Sequence, residues 1–127
     1  MQKLHIPLGS RGAAIGMSAA VRYGNLIAVS GQLSSGEKGE VLHEGDFLAQ
    51  AERCFANIER ILGQAGATLS DVVALNTFLT DRKNAMAFLS LRGKLFPERP
   101  PATTTVIAEL INPLYMIEIQ AWAAIDG

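Results

Sequence analysis

Met116-Ile117-Glu118-Ile119-Gln120-Ala121-Trp122-Ala123-Ala124-Ile125 is the stretch whose reading decides the fold. Side chains of a β-strand alternate between two faces, so a period of two residues sorts this run into two rows. Ile117, Ile119, Ala121, Ala123 and Ile125 form an unbroken apolar row, which predicts a covered face. Met116, Glu118, Gln120, Trp122 and Ala124 point the other way. The cover for the apolar row lies upstream. Phe47, Ala51, Cys54, Phe55, Ile58, Ile61, Leu62 and Ala65 recur at three- and four-residue steps, the stripe of an amphipathic helix, with Asp46 placed to cap its start and Gly66 its end. Glu52, Arg53, Glu59, Arg60 and Gln64 make its solvated face. Cys54 lies inside the stripe and reads as a packed small hydrophobe, because a reactive thiol needs an accessible, electropositive setting.

Working outward, residues 3–6 predict a short strand, and residues 18–22 and 26–30 predict two more, joined by Tyr23-Gly24-Asn25 as a hairpin. Gly9-Ser10-Arg11-Gly12 and residues 33–40 are polar or glycine-bearing and read as loops. Residues 71–80 (DVVALNTFLT) carry β-branched and apolar residues on both faces and predict a central strand. Residues 83–96 predict a second helix with Ala85, Phe88, Leu89, Arg92 and Leu95 inward, ended by Pro97-Glu98-Arg99-Pro100-Pro101. Residues 102–108 (ATTTVIA) predict the next strand, and Asn112-Pro113 a turn before the last. Both helices fall between strands on connections long enough for parallel crossovers. The expected fold class is α+β, one mixed sheet of about six strands with two helices on one face, as a single domain over residues 1–127. The helix-free face then carries Trp122 with no predicted cover, which implies association of copies there and puts Glu118 at or near a subunit interface.

Composition sets the outer bounds. The chain has 127 residues, 49% hydrophobic and 18% charged, a globular balance. A net charge of −1, with basic residues scattered, leaves no footprint for nucleic acid or an anionic membrane. One cysteine closes no intrachain disulfide, and two histidines, His5 and His43, supply no zinc spacing. No apolar run is long enough to span a bilayer, and residues 1–7 lack the apolar segment of a secretory signal. The expectation is a soluble cytoplasmic protein with no metal and no cofactor.

Among chemistry-bearing residues, Glu118 stands out. A carboxylate near an interface is costly unless paired or hydrogen-bonded. It either sits in solvent or bonds backbone amides there, or it lines a small pocket and handles protons with a pKa raised by partial burial. Ser30-Gly31-Gln32 ends a strand where glycine lets a ligand approach the backbone, and a simple turn explains it equally well. Thr103-Thr104-Thr105 reads first as a β-forming run. Neither phosphate-binding glycine motif is present.

Several segments together resemble the RidA/YjgF family of small enamine and imine deaminases. They are Ser18-x-Ala20-Val21-x-x-Gly24-Asn25-Leu26-Ile27-x-Val29-Ser30-Gly31-Gln32, Gln50-Ala51, Asn57-Ile58, Ala65-Gly66-Ala67-x-Leu69-x-Asp71-Val72-Val73, Phe96-Pro97, Pro100-Pro101-Ala102-Thr103-Thr104-Thr105-Val106 and Ile117-Glu118-Ile119-x-Ala121. The resemblance implies a chorismate-mutase-like fold and a homotrimer with a small-molecule cleft between subunits. It gives Glu118 the task of holding or protonating the reacting group through water, and it places Met17, Ser30, Gly31, Leu89, Ala102 and Thr104 around the ligand. At four of these positions the chain departs from the family pattern: Met17 stands for a tyrosine, Leu89 for an asparagine, Thr104 for a cysteine, and Ala102 for the arginine that grips the substrate carboxylate. Losing such a contact costs about 2–5 kcal/mol, or roughly 30- to 4,000-fold. Arg99, in the proline loop, reads as a solvated charge. The expected ligand is therefore an enamine or imine without a carboxylate next to the reacting carbon. The alternative is a non-catalytic ligand-binding or regulatory protein; ribonuclease activity, claimed for some relatives, has no support in the charge distribution.

Overall fold

The apolar row of the last strand lies at the centre of the molecule. In the structure, a computed structural model that describes residues 2–9 and 12–126, the chain runs β1 (Lys3–Pro7), α1 (Gly12–Ile15), β2 (Ser18–Tyr23), β3 (Leu26–Gln32), α2 (Phe47–Gln64), β4 (Val72–Leu79), α3 (Ala85–Leu95), β5 (Ala102–Ile107) and β6 (Ile117–Ala124). The six strands form one mixed sheet ordered β1-β2-β3-β6-β4-β5, with β4 and β5 parallel and the other neighbours antiparallel. This is the α+β arrangement expected. Because β6 is paired on both sides, its backbone is satisfied, and Ile117, Ile119, Ala121 and Ala123 are fully buried under α2. Ile125 lies just past the strand and is only partly buried against the core.

The helix α2 follows its stripe. Asp46 accepts a hydrogen bond from the Ala49 amide at 3.1 Å. At the other end Gly66 takes φ +88°, and the Ala67 amide reaches back to the Leu62 carbonyl at 2.8 Å, closing a glycine-dependent Schellman cap. Cys54 is fully buried, and burial pushes its thiol up to about 12, with the negative charge of Glu118 adding to the shift.

Four details differ from the expectation. Asp71 does not begin β4: it sits in a 3-10 turn, Leu69–Asp71, where its carboxylate accepts from the Thr68 amide at 2.8 Å. Likewise Asp81 caps a 3-10 turn, Arg82–Asn84, so α3 starts at Ala85 and not at residue 83. In both cases a short carboxylate bonding a nearby amide tightens the chain before the regular element can form. From Gly12 the chain coils into α1, where a loop was expected; Ser10 and Arg11 of that loop lie outside the described residues. The fourth concerns the inward side of α3. Phe88 is fully buried and stacks on Phe55, but Leu89 is 40% exposed. The helix lies towards the β5 edge of the sheet, and Leu89 looks onto a cleft beside that edge.

On the helix-free face the register aligns Tyr23 with Leu26, Val21 with Ala28, Ala28 and Ala74 with Trp122, Asn76 with Gln120, and Phe78 with Glu118. Tyr23 and Leu26 are about half exposed, Trp122 and Phe78 are partly exposed, and every residue of β5 is exposed.

Candidate functional site

A defect in the ladder builds the site. Between β3 and β6 the register passes from Val29↔Ala121 to Gln32↔Ile119, so β3 holds one residue more than β6 over this span. That extra residue is a β-bulge at Ser30-Gly31. Ser30 turns its hydroxyl onto the Ser18 carbonyl at 2.7 Å, tying the bulge to β2. Gly31 faces the Glu118 side chain so closely that an added Cβ would lie 2.9 Å from both Cδ and Oε2. A glycine is required here for the approach of the carboxyl group.

Glu118 is half-buried and makes no ion pair or hydrogen bond to protein through its carboxyl group among the described residues. Burial raises its pKa above the ordinary 4.5, since desolvation penalises the charged form. It opens onto a pocket of about 260 Å³ walled by Leu33, Leu110, Ile111, Asn112 and Tyr115. A carboxyl group with free lone pairs and a raised proton affinity, in a pocket of mostly apolar walls, is equipped to give and take protons.

Two buried amides hold the pocket walls. Gln50 donates from Nε2 to the Leu114 carbonyl at 3.0 Å and to His43 at 3.3 Å, while its Oε1 accepts from the Met116 amide at 2.8 Å. Asn57 donates from Nδ2 to the Leu33 carbonyl at 3.0 Å and to Ser35 at 3.1 Å. Both side chains are essentially inaccessible to solvent. They rigidify the loops on either side of Glu118 without entering the pocket. Sequence reasoning gave them no such role, although polar residues seven apart on the buried side of an amphipathic helix are the signal for it.

One chain brings together only part of the expected set. Glu118, Ser30 and Gly31 are adjacent. Met17 lies one strand away in another cleft, with His5 and Gly12. Ala102 and Thr104 pair with Ala74 and Asn76, so they stand on the helix-free face with Glu118, but β4 separates β5 from β6. Leu89 is on the opposite face, where its neighbour on β5 is Thr103 and not Ala102. Arg99 is exposed, with φ +50° in the proline loop. Among the described residues no group of three or more histidine, cysteine or acidic side chains could hold a metal, and no helix is long and apolar enough to cross a membrane.

Comparison with known proteins agrees with this architecture. Residues 10–125 match the family model described as Endoribonuclease L-PSP. The 3-aminoacrylate deaminase RutC of Acinetobacter baylyi is 36% identical over 104 residues, 82% of each chain. A RutC family protein of Pyrococcus abyssi is 35% identical over 107 residues, 84% of each. Among solved structures, Rv2704 of Mycobacterium tuberculosis, a member of the YjgF/YER057c/UK114 family, superposes with a TM-score of 0.86 at 34% identity, covering 98% of this chain and 100% of that one. RidA from an Antarctic Psychrobacter gives 0.78 at 35% identity, covering 85% and 87%. With the family model matched along nearly its whole length and close superposition on solved members, this chain belongs to the RidA/YjgF family, which the Endoribonuclease L-PSP model describes.

Proposed function

We propose that this protein hydrolyses a small enamine or imine in a cleft formed between copies of the chain, without a cofactor, and that the assembly is a homotrimer. The observation that carries the reading is the Glu118 carboxyl group, unpaired, half-buried and pressed against Gly31 at the mouth of an apolar-walled pocket. The incompleteness of the site supports association: Thr104 and Ala102 share the face of Glu118 yet stand beyond β4, and a neighbouring copy laid on that face brings its own residues to the pocket. Such packing also covers Trp122, Phe78 and Tyr23.

The chemistry needs only water and a group that moves protons. Protonated Glu118 delivers a proton to the enamine carbon one removed from the carbon that bears nitrogen, which leaves an iminium. The resulting carboxylate takes a proton from water as the water oxygen bonds to the iminium carbon. Glu118 passes that proton to nitrogen, the carbon–nitrogen bond breaks as the hydroxyl returns its proton to the Glu118 carboxylate, and ammonia departs from a carbonyl product. One water is consumed and nothing is oxidised. The relative's substrate, 3-aminoacrylate, carries its amine two carbons from the carboxylate group, so its reacting carbon has no carboxylate attached. That matches a site whose β5 position Ala102 offers no cation beside the reacting centre.

The test is clearance of freshly generated 3-aminoacrylate and of a simple imine series, read as ammonia release above the buffer rate. We expect acceleration by the wild-type protein and loss of about 100-fold or more in Glu118→Gln. Buffer-rate clearance of every imine, together with saturable binding of a small metabolite, would make it a binding protein instead.

A further inference from the structure

The molecule has a second cleft that this chemistry does not use, and it holds a cation. On the helix-covered side, between α3 and the edge strand β5, Leu89, Arg92, Phe96, Pro101 and Thr103 line a space of about 280 Å³. The Arg92 guanidinium lies over the Phe88 ring, its carbon 5.4 Å from the ring centroid. Phe88 is itself fully buried and stacked on Phe55 at 6.2 Å with 4° between planes, so the platform beneath the cation is fixed. Among the described residues the one ion pair is Lys83 with Asp81, and no protein acceptor takes a hydrogen bond from the Arg92 guanidinium. Its planar fork of donors is thus half-buried, oriented and unused. Beside it Gly93 leaves open space, with nothing within 4 Å of where a Cβ would stand. Across the cleft Thr103, paired with Leu75 in the β4–β5 register, sits on this side of β5 and offers a hydroxyl. An aromatic platform, a free guanidinium and a facing hydroxyl form a receptor for a planar anion with two oxygens.

We propose that Arg92 and Thr103 form a binding site for the carboxylate of a small ligand, separate from the Glu118 pocket on the other face of the sheet. This anion site does not depend on the enamine reading above. Arg92 acts here by binding and takes no proton.

Propionate and its neutral analogue propionamide separate charge from shape. Both are titrated into isotope-labelled protein at low ionic strength, with the Arg92 Nε–Hε signal and the Thr103 amide observed by NMR. Saturable shifts at both positions with propionate, at least tenfold weaker with propionamide, are expected. Arg92→Met should weaken propionate at least tenfold, Arg92→Lys should keep part of the affinity, and Arg60→Met, an exposed arginine of α2, should change nothing. Melting temperatures check the fold, and Arg92→Lys carries the comparison if Arg92→Met is unstable. Equal binding of propionate and propionamide, or undiminished propionate binding in the Arg92 variants, overturns the subsite. Arg92-dependent propionate binding without any imine clearance would instead sink the enzymatic reading and leave the subsite standing.

Discussion

At the scale of residues, Glu118 and Gly31 act as one unit. Replacing Gly31 with alanine places a methyl group where the Glu118 carboxyl group now lies. Swinging the Glu118 carboxyl group aside costs little, since a side-chain end can move, so Gly31→Ala should fold normally by circular dichroism yet lose about tenfold or more of imine clearance, in line with the rate lost when a catalytic group is misplaced. The raised pKa of Glu118 has a definite sign for stability. The folded protein holds this proton more tightly than the unfolded chain, so its contribution is complete below about pH 4.5 and is lost as pH rises through the folded pKa. Glu118→Gln, which cannot ionise, should therefore be more stable than wild type at neutral pH, the gap closing towards pH 4, as read by urea denaturation at a series of pH values. Activity should fall as pH rises through the same pKa, because in the proposed mechanism the protonated acid starts the reaction. Cys54, buried and with its thiol at about 12, should react with a disulfide reagent only after unfolding.

At the scale of elements, α2 both covers the sheet and anchors the site. Its apolar stripe was legible because a 3.6-residue period needs no knowledge of what it packs against. Gln50 and Asn57 were present in the family segments, but their partners, Leu33, Ser35, Leu114 and Met116, are distant in sequence and meet them only after α2 settles on β6. Gln50→Ala strands buried carbonyl and amide groups and should cost about 2–4 kcal/mol by urea denaturation. Asn57→Leu should cost about 1–3 kcal/mol and loosen the pocket wall at Leu33. The same reasoning explains Leu89: helical spacing put it on the inward side, and the position of α3 at the β5 edge left it exposed.

At the scale of the whole molecule, the helix-free face is where copies of the chain are expected to meet. Trp122 stands near the middle of that face, between Ala28 and Ala74. Trp122→Glu puts a charge into the proposed contact and should shift the proposed trimer to monomer in analytical ultracentrifugation. Imine clearance should fall with it, because the proposed pocket takes residues from two copies. A wild-type protein that sediments as a monomer would remove the basis for an intersubunit cleft.

What the amino-acid order determined by itself is local or periodic: the two rows of β6, the stripe and both caps of α2, the hairpin at Tyr23-Gly24-Asn25, and an α+β class. Each follows from forces between residues a few positions apart, or from a pattern that must bury one face whatever lies opposite. The tertiary structure alone decided the rest. A single extra residue in β3 brings Gly31 against Glu118, the order of strands puts β4 between that glutamate and Thr104, and the packing of Phe88 on Phe55 sets Arg92 in one cleft with Thr103. These contacts join positions tens of residues apart, and their register depends on how every intervening strand is paired, which no short stretch of chain encodes.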